Sequence, residues 1–334
     1  MAHTALYGSF AETLALKELG EAQWETVHPP QRMGNAANIA YGGFAVAVAA
    51  QAACKSVPDG YHMYTLMGNF LGPATNDRPL RATTRMLRKT RTFATCQVEV
   101  SQLAASKSGK EEERICLVAL ADFQVQEKGS VLEYSAPPRR EYTHYSKLLD
   151  TENHVDKLVE EKKVTEKEAQ MFKSSFAVSR SLYETRPCPE GIFAQNLNGV
   201  AKRAPTSQDA LPITSKSTAE WLRCRTPLPT EADQITALAF LMDGALSFAP
   251  LAFSHLYLDD TAACSSLDFA LRVFGNDVDL GKWCLKELVT HGAGVGRSFS
   301  EGRLWDGEGR LVAGITQQSI IRAFPEGKTG KEKL

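Results

Sequence analysis

One acidic side chain stands where solvation alone does not explain it. Asp243 lies inside Ala237-Leu-Ala-Phe-Leu-Met-Asp-Gly-Ala-Leu-Ser-Phe248, a stretch that is apolar on every side of a helix. Burying a carboxylate costs several kcal/mol unless it is paired or hydrogen-bonded. Such a residue either reaches a backbone N–H or the surface, or is kept for proton transfer, as a general base that takes a proton from water. A second polar group, Gln317, neighbours Gln318 in the alternating stretch Leu311–Arg322. On a strand one of the two amides faces inward. Gly314, Thr316 and Gln318 would share one face, and Ile315, Gln317 and Ser319 the other; the pattern alone also allows two solvent-facing amides at a frayed end. Gly42 and Gly43 open an Ala- and Val-rich segment. A backbone N–H at such a helix start can polarise a carbonyl oxygen as negative charge develops on it, although small residues there also suit helix-to-sheet packing.

Other chemistries find less support. No G-x-S-x-G elbow occurs, nor a G-x-G-x-x-G or G-x-x-x-x-G-K-[ST] phosphate loop, so no nucleotide is expected. His255-Leu-Tyr-Leu-Asp259 fits a five-residue H-x-x-x-D pattern, but more simply it is a polar stretch after Pro250. The seven cysteines, Cys54, Cys96, Cys116, Cys188, Cys224, Cys264 and Cys284, are odd in number and widely spaced. Reduced thiols are expected, with neither disulfides nor a metal site.

The elements that must position these residues repeat. Ala22-Gln-Trp24 and Ala219-Glu-Trp221 are each followed by a small-residue helix, Tyr41–Ala50 and Ala237–Leu246. Arg91-Thr-Phe-Ala94 and Arg297-Ser-Phe-Ser300 come next. Shared order carries more weight than any single match. In the first copy, Gly43–Cys54 reads as a buried helix, and Tyr64–Leu71, Leu80–Leu87, Phe93–Val100 and Ile115–Val125 as antiparallel strands, with a polar turn at Ser106–Glu113. In the second, a strand near Phe176–Thr185 and Ser217–Arg225 precede Ile235–Phe253, a helix expected to be disturbed at Pro250. Ser266–Val273, Cys284–Thr290, Arg297–Trp305 and Leu311–Arg322 read as strands. Asp156–Phe172 reads as one charged surface helix between the copies. Repeated units of one helix and a run of antiparallel strands mean an α+β fold. The expected boundaries are 1–126, a connecting 127–175, and 176–334.

The 334 residues are 43% hydrophobic and 23% charged, with a formal net charge of −1. That balance disfavours nucleic acid as a partner. The longest apolar runs are too short to span a bilayer, so membrane insertion is not expected. The end Glu332-Lys333-Leu334 matches two positions of a Ser-Lys-Leu peroxisomal address and misses the first. Cytoplasmic placement is the first expectation and peroxisomal the second.

The order of elements and the residues together resemble the double-hotdog acyl-CoA thioesterases, the type II group and its fungal relatives. The likeness runs over about Ser9–Val125 and Phe176–Arg322. Tyr41-Gly-Gly43 is similar to the family's Gly-Gly helix start, Arg91-Thr-Phe-Ala-Thr95 to its Arg-Ser-Phe strand, and Gly296-Arg-Ser-Phe299 with Leu304–Ala313 to its late hairpin. The resemblance implies a double hotdog, each unit an antiparallel sheet wrapped around a long helix. It also implies hydrolysis of acyl-CoA or carrier-bound acyl thioesters by an activated water. No cofactor is expected beyond the CoA of the substrate. The family's Asp, Thr or Ser, and Gln fall on Asp243, Ser266 and Gln317, and Tyr41, Gly42 and Gly43 would meet substrate. There are departures: Ser for Thr at 266, Phe269 where His often stands, Tyr41 for a His before Gly-Gly, and Gly72 for an Arg. Non-hydrolytic use of the fold, as in acyl transfer or a dehydratase-like step, is the alternative. A non-catalytic binding module is the third reading, and both monomer and homodimer stay open.

Overall fold

The computed structural model describes residues 8–34, 38–105, 109 and 111–325. Along the chain the elements are α1 (Phe10–Thr13), β1 (Leu16–Gly20), β2 (Gln23–Thr26), α2 (Gly42–Lys55), β3 (Tyr61–Phe70), β4 (Arg81–Lys89), β5 (Phe93–Ala105) and β6 (Glu111–Val125). There follow α3 (Thr151–Glu160), α4 (Glu166–Ser175), α5 (Ala177–Leu182), β7 (Tyr183–Pro187), α6 (Ile192–Asn196), β8 (Thr218–Cys224), α7 (Glu231–Met242) and α8 (Ala249–Phe253). β9 (Ala263–Ser266), β10 (Asp268–Val273), β11 (Cys284–Gly294), β12 (Arg297–Trp305) and β13 (Leu311–Arg322) complete it.

Two compact units form. The first takes the described part of Met1–Tyr134 together with Cys224–Gly244 and Asp268–Gly281, and the second takes Ser135–Arg223, Ala245–Leu267 and the described part of Lys282–Leu334. The linear boundaries expected from the repeat do not mark these units, because α7 and β10 pack with the first-copy elements. In the first unit the sheet order is β1-β2-β4-β5-β6-β3-β10, antiparallel throughout. α2 crosses the inner faces of β4, β5 and β6 and lies against α7. Its Ala and Val side chains let backbones come close, and Val46 to Ala50 keep no exposed surface. Leu66, Val98, Leu117 and Phe123 fill the sheet side of that core.

In the second unit the order is β13-β12-β11-β8-β7, with β9 paired to β13. α8 covers β11 and β12 on one face. The other face is covered by the segment that joins the two repeats. Trp305 Nε1 donates to Ala136 O at 2.8 Å, and Trp221 Nε1 to Thr143 O at 3.1 Å. Tyr145 stacks on Trp283 with centroids 5.0 Å apart. Glu287, 3% exposed, accepts from the N–H of Arg139 at 3.0 Å and from the Tyr142 hydroxyl at 2.7 Å.

Several expectations change. The single helix over Asp156–Phe172 is two, because Lys162 adopts φ 57° and Thr165 starts α4 with a capping box to Glu168. The strand expected near Phe176–Thr185 begins only at Tyr183, after the short helix α5. The stretch Ser266–Val273 is split at Leu267 into β9 and β10. Pro250 does not disturb a helix. It occupies the first turn of α8, where its missing N–H costs nothing. The break lies earlier, after Asp243, where Ala245 takes φ 74°. The turn expected at Ser106–Glu113 lies partly outside the described residues, and 111–113 extend β6. The tail Glu332-Lys333-Leu334 lies outside them altogether.

Candidate active site

In the first unit Asp243 ends α7 as its C-cap and is 5% exposed. An anion there opposes the partial negative charge of its own helix terminus. The start of α2 stands beside it. A Cβ on Gly42, the first residue of α2, would lie 3.0 Å from Asp243 Oδ2 and 3.1 Å from the Phe70 ring. Glycine thus lets the start of α2, with its partial positive charge, approach the carboxylate. Gly43 serves a different neighbour. A Cβ there would come within 2.7 Å of the Tyr41 ring and hydroxyl, so the missing side chain lets Tyr41 fold back over the helix start.

Tyr41 uses that freedom to reach α7. Its hydroxyl donates to Phe240 O at 2.7 Å. Here the last turn tightens, with Gly244 N–H donating to Leu241 O. Burial, and then the charge of Asp243, push the Tyr41 phenol well above its ordinary range, so it stays a neutral donor. Around it Tyr41, Phe44 and Phe240 meet edge to face with centroids 5.0 to 6.4 Å apart, and Phe10 adds a fourth ring 5.7 Å from Phe240. Phe269, in the place of a family His, is 2% exposed and packs on Phe70.

In the second unit Gln317 is 1% exposed and faces inward with Ile315 and Ser319. The Ser319 hydroxyl donates to Gln317 Oε1 at 3.3 Å. Ser266, half-buried on β9, stands directly opposite Ser319. The second unit therefore brings Ser266 and Gln317 together through Ser319, and the first brings Asp243 together with Tyr41, Gly42 and Gly43. Tyr41's link to Phe240 and the Ser319 hydrogen bond to Gln317 escaped the sequence reading. Only the alternation Gln317-x-Ser319 pointed to any of them.

Other nucleophiles fit poorly. All seven cysteines are free. Burial pushes Cys54 up to about 12 and Cys264 up to about 11, away from the reactive thiolate. His255 and Asp259 do not pair: His255 Nε2 lies 2.8 Å from Asp209 Oδ1, and Asp259 Oδ1 lies 2.7 Å from Lys202 Nζ. Among the described residues, no three His, Cys, Asp or Glu side chains gather as a metal site needs.

Residues 29–124 match the family model for the acyl-CoA thioesterase N-terminal domain, and residues 178–321 match that for the C-terminal domain. The chain belongs to the double-hotdog acyl-CoA thioesterases. Acyl-CoA thioesterase 2 of Haemophilus influenzae is 24% identical over 284 residues, which are 84% of this chain and 87% of that protein. Among solved structures, acyl-CoA thioesterase II TesB2 of Mycobacterium marinum shares the fold at a TM-score of 0.66 and 20% identity, covering 96% of this chain and 100% of that one. A tesB protein of Mycobacterium avium subspecies paratuberculosis does so at 0.65 and 17%, covering 94% and 99%. At the three positions that the sequence resemblance marks, this acyl-CoA thioesterase carries Asp243, Ser266 and Gln317, and before Gly42 it carries a tyrosine bound to α7.

Proposed function

We propose that this thioesterase cleaves acyl-CoA to free acid and CoA by attack of a water that Asp243 deprotonates. The water oxygen bonds to the thioester carbon and its proton passes to the Asp243 carboxylate. The carbon–sulfur bond then breaks, and the leaving thiolate takes the proton back. Gln317 and Ser266 orient the water. The N–H groups of Gly42 and Gly43, among the donors that every helix start leaves unsatisfied, polarise the carbonyl oxygen. The observation that carries this reading is a carboxylate buried at the wrong end of its own helix, with a glycine helix start held against it.

Release of CoA thiol from a panel of acyl-CoAs tests it. Wild type is expected to release thiol and Asp243→Asn to lose nearly all activity. Equal rates in the two would remove the base assignment, and no release from any substrate would favour a non-hydrolytic role. A carrier-bound acyl group offers the same thioester, and the same assay on acyl-carrier substrates separates the two. No described helix is long and apolar enough to cross a membrane. We take the cytoplasm as the place of action and the peroxisome as the alternate, to be read from localisation of the tagged chain with and without Glu332–Leu334.

A further inference from the structure

The inner face of the second unit's sheet turns from apolar to hydroxyl-bearing toward one end. Where Leu288, Gly302 and Ile315 stand side by side on β11, β12 and β13, the face is closed: a Cβ on Gly302 would lie 3.0 Å from Leu288 and 3.2 Å from Ile315. Two residues along, the row is Thr290, Ser300 and Gln317. Two further, it is Ser298 and Ser319, continued onto β9 by Ser266. Beyond that row β11 and β12 run into their exposed turn, and Ser298 is the first buried residue after it. Apart from Ser266, which is half-buried, each of these six polar side chains is 3% exposed or less.

A buried hydroxyl is unfavourable unless hydrogen-bonded. Three of them bond to protein. Ser300 donates to Thr290 Oγ1 at 3.4 Å, Thr290 to Phe299 O at 3.2 Å, and Ser319 to Gln317 Oε1 at 3.3 Å. Ser298 is different: its Oγ is buried and meets no hydrogen-bonding partner among the described residues. Packing alone does not ask for a serine there, since alanine fills nearly the same space without burying a hydroxyl. The neighbours of Ser298 are hydroxyls and an amide, and solvent begins one row away, which suits an ordered water. A buried water makes about three hydrogen bonds to groups of this kind. Ser319 stands directly opposite Ser298. Its proton goes to Gln317, but its oxygen keeps lone pairs that can accept from a water.

We infer that Ser298 is a positioning residue: it holds a buried water, shared with Ser319, that braces the Gln317 side chain and so aims the attacking water. The inference rests on the hydrolase reading, in which Gln317 orients that attacking water. Ser298 is the diagonal neighbour of Gln317 across β12 and β13, a separation of about 7–8 Å. That is too far for a direct hydrogen bond and within reach of two in series through one water. The Ser319–Gln317 bond, at 3.3 Å, is long for a hydroxyl donor, and a water shared by the two serines stiffens it. Ser298 itself touches no reacting atom and transfers no proton.

The experiment measures kcat and KM on one acyl-CoA for wild type, Ser298→Ala, Ser298→Thr, Gln317→Ala and the Ser298→Ala, Gln317→Ala double variant. Ser298→Ala is expected to lower kcat by about tenfold with KM little changed. Ser298→Thr keeps the hydroxyl and should keep the rate. In the Gln317→Ala background the loss of the Ser298 hydroxyl should cost little more, because the two act together. An unchanged kcat in Ser298→Ala, an equal loss in Ser298→Thr, or the same tenfold loss without Gln317 overturns the inference. High-resolution crystal structures separate it from the hydrolase reading. Wild type should show a water within about 3.2 Å of both Ser298 Oγ and Ser319 Oγ, absent in Ser298→Ala. If wild type releases no thiol from any acyl-CoA, the hydrolase reading falls, and that density would still sustain the water site. A Ser298 hydroxyl that is dry or bonded directly to protein would end it even in an active enzyme.

Discussion

The Tyr41 hydroxyl donates to the carbonyl of Phe240 at 2.7 Å, which fastens the residue before α2 to the last turn of α7, three residues from Asp243. Tyr41→Phe removes one buried donor and leaves a carbonyl without it. Stability should fall by about 1 kcal/mol. Because the turn that carries the carboxylate is loosened, kcat should also fall by about tenfold with KM little changed. Urea unfolding beside steady-state kinetics checks both, and a variant equal to wild type in kcat would deny Tyr41 a positioning role.

Asp243→Asn separates function from stability. The charge is buried at a helix C-terminus, so its removal should leave the fold unchanged or up to about 1 kcal/mol more stable. The rate should drop by roughly a hundredfold to ten-thousandfold, the range of a lost general base. Thermal melts and thiol release on one preparation give the answer. A variant that is both unstable and partly active would mean that the carboxylate serves the fold.

Gly42→Ala should lack the usual gain of filling a helical glycine. Alanine ordinarily stabilises a helix interior by about 0.5–1 kcal/mol. Here the new Cβ would stand 3.0 Å from Asp243 Oδ2 and 3.1 Å from Phe70, so no gain is expected and kcat should fall by about tenfold. A stabilised variant with full activity would show that the close approach has no catalytic consequence.

Glu287 predicts a pH dependence. Burial raises its carboxyl above the ordinary 4.5, against the opposing pull of Tyr142 and the Arg139 N–H. Between the unfolded value and the raised folded one, the folded chain holds more protons. Stability therefore declines as pH climbs from 4.5 through that window. Glu287→Gln keeps an acceptor for Tyr142 and Arg139 and should flatten this slope. Denaturant midpoints from pH 4 to 8 decide it; equal slopes would exclude Glu287 as the cause.

Much of this was readable in advance, for local reasons. Strand parity set Gln317 on one face with Ile315 but left a solvent-facing pair of amides open, and the apolar neighbours of Asp243 pointed to burial while leaving a route to the surface. Where backbone conformation decides, the pattern was silent. Nothing in Ala-Leu-Ser marks Ala245 as left-handed, a state that costs an alanine on the order of 1–2 kcal/mol, and Pro250 looked like a helix breaker while acting as a helix start. Contacts across long separations were silent too. Tyr41 and Phe240 are 199 residues apart, and the serines around Gln317 gain meaning only once β9, β12 and β13 lie side by side.

The stretch joining the two repeats cannot be treated as a tether. A tether can be lengthened or recoded at will, but from Ser135 to Tyr145 this one caps two tryptophans, stacks on a third and solvates a carboxylate in the second sheet. A gene trimmed to begin at the second repeat would strip those partners away, so the second sheet keeps them only in a chain that starts near Ser135, well upstream of where the repeat itself resumes.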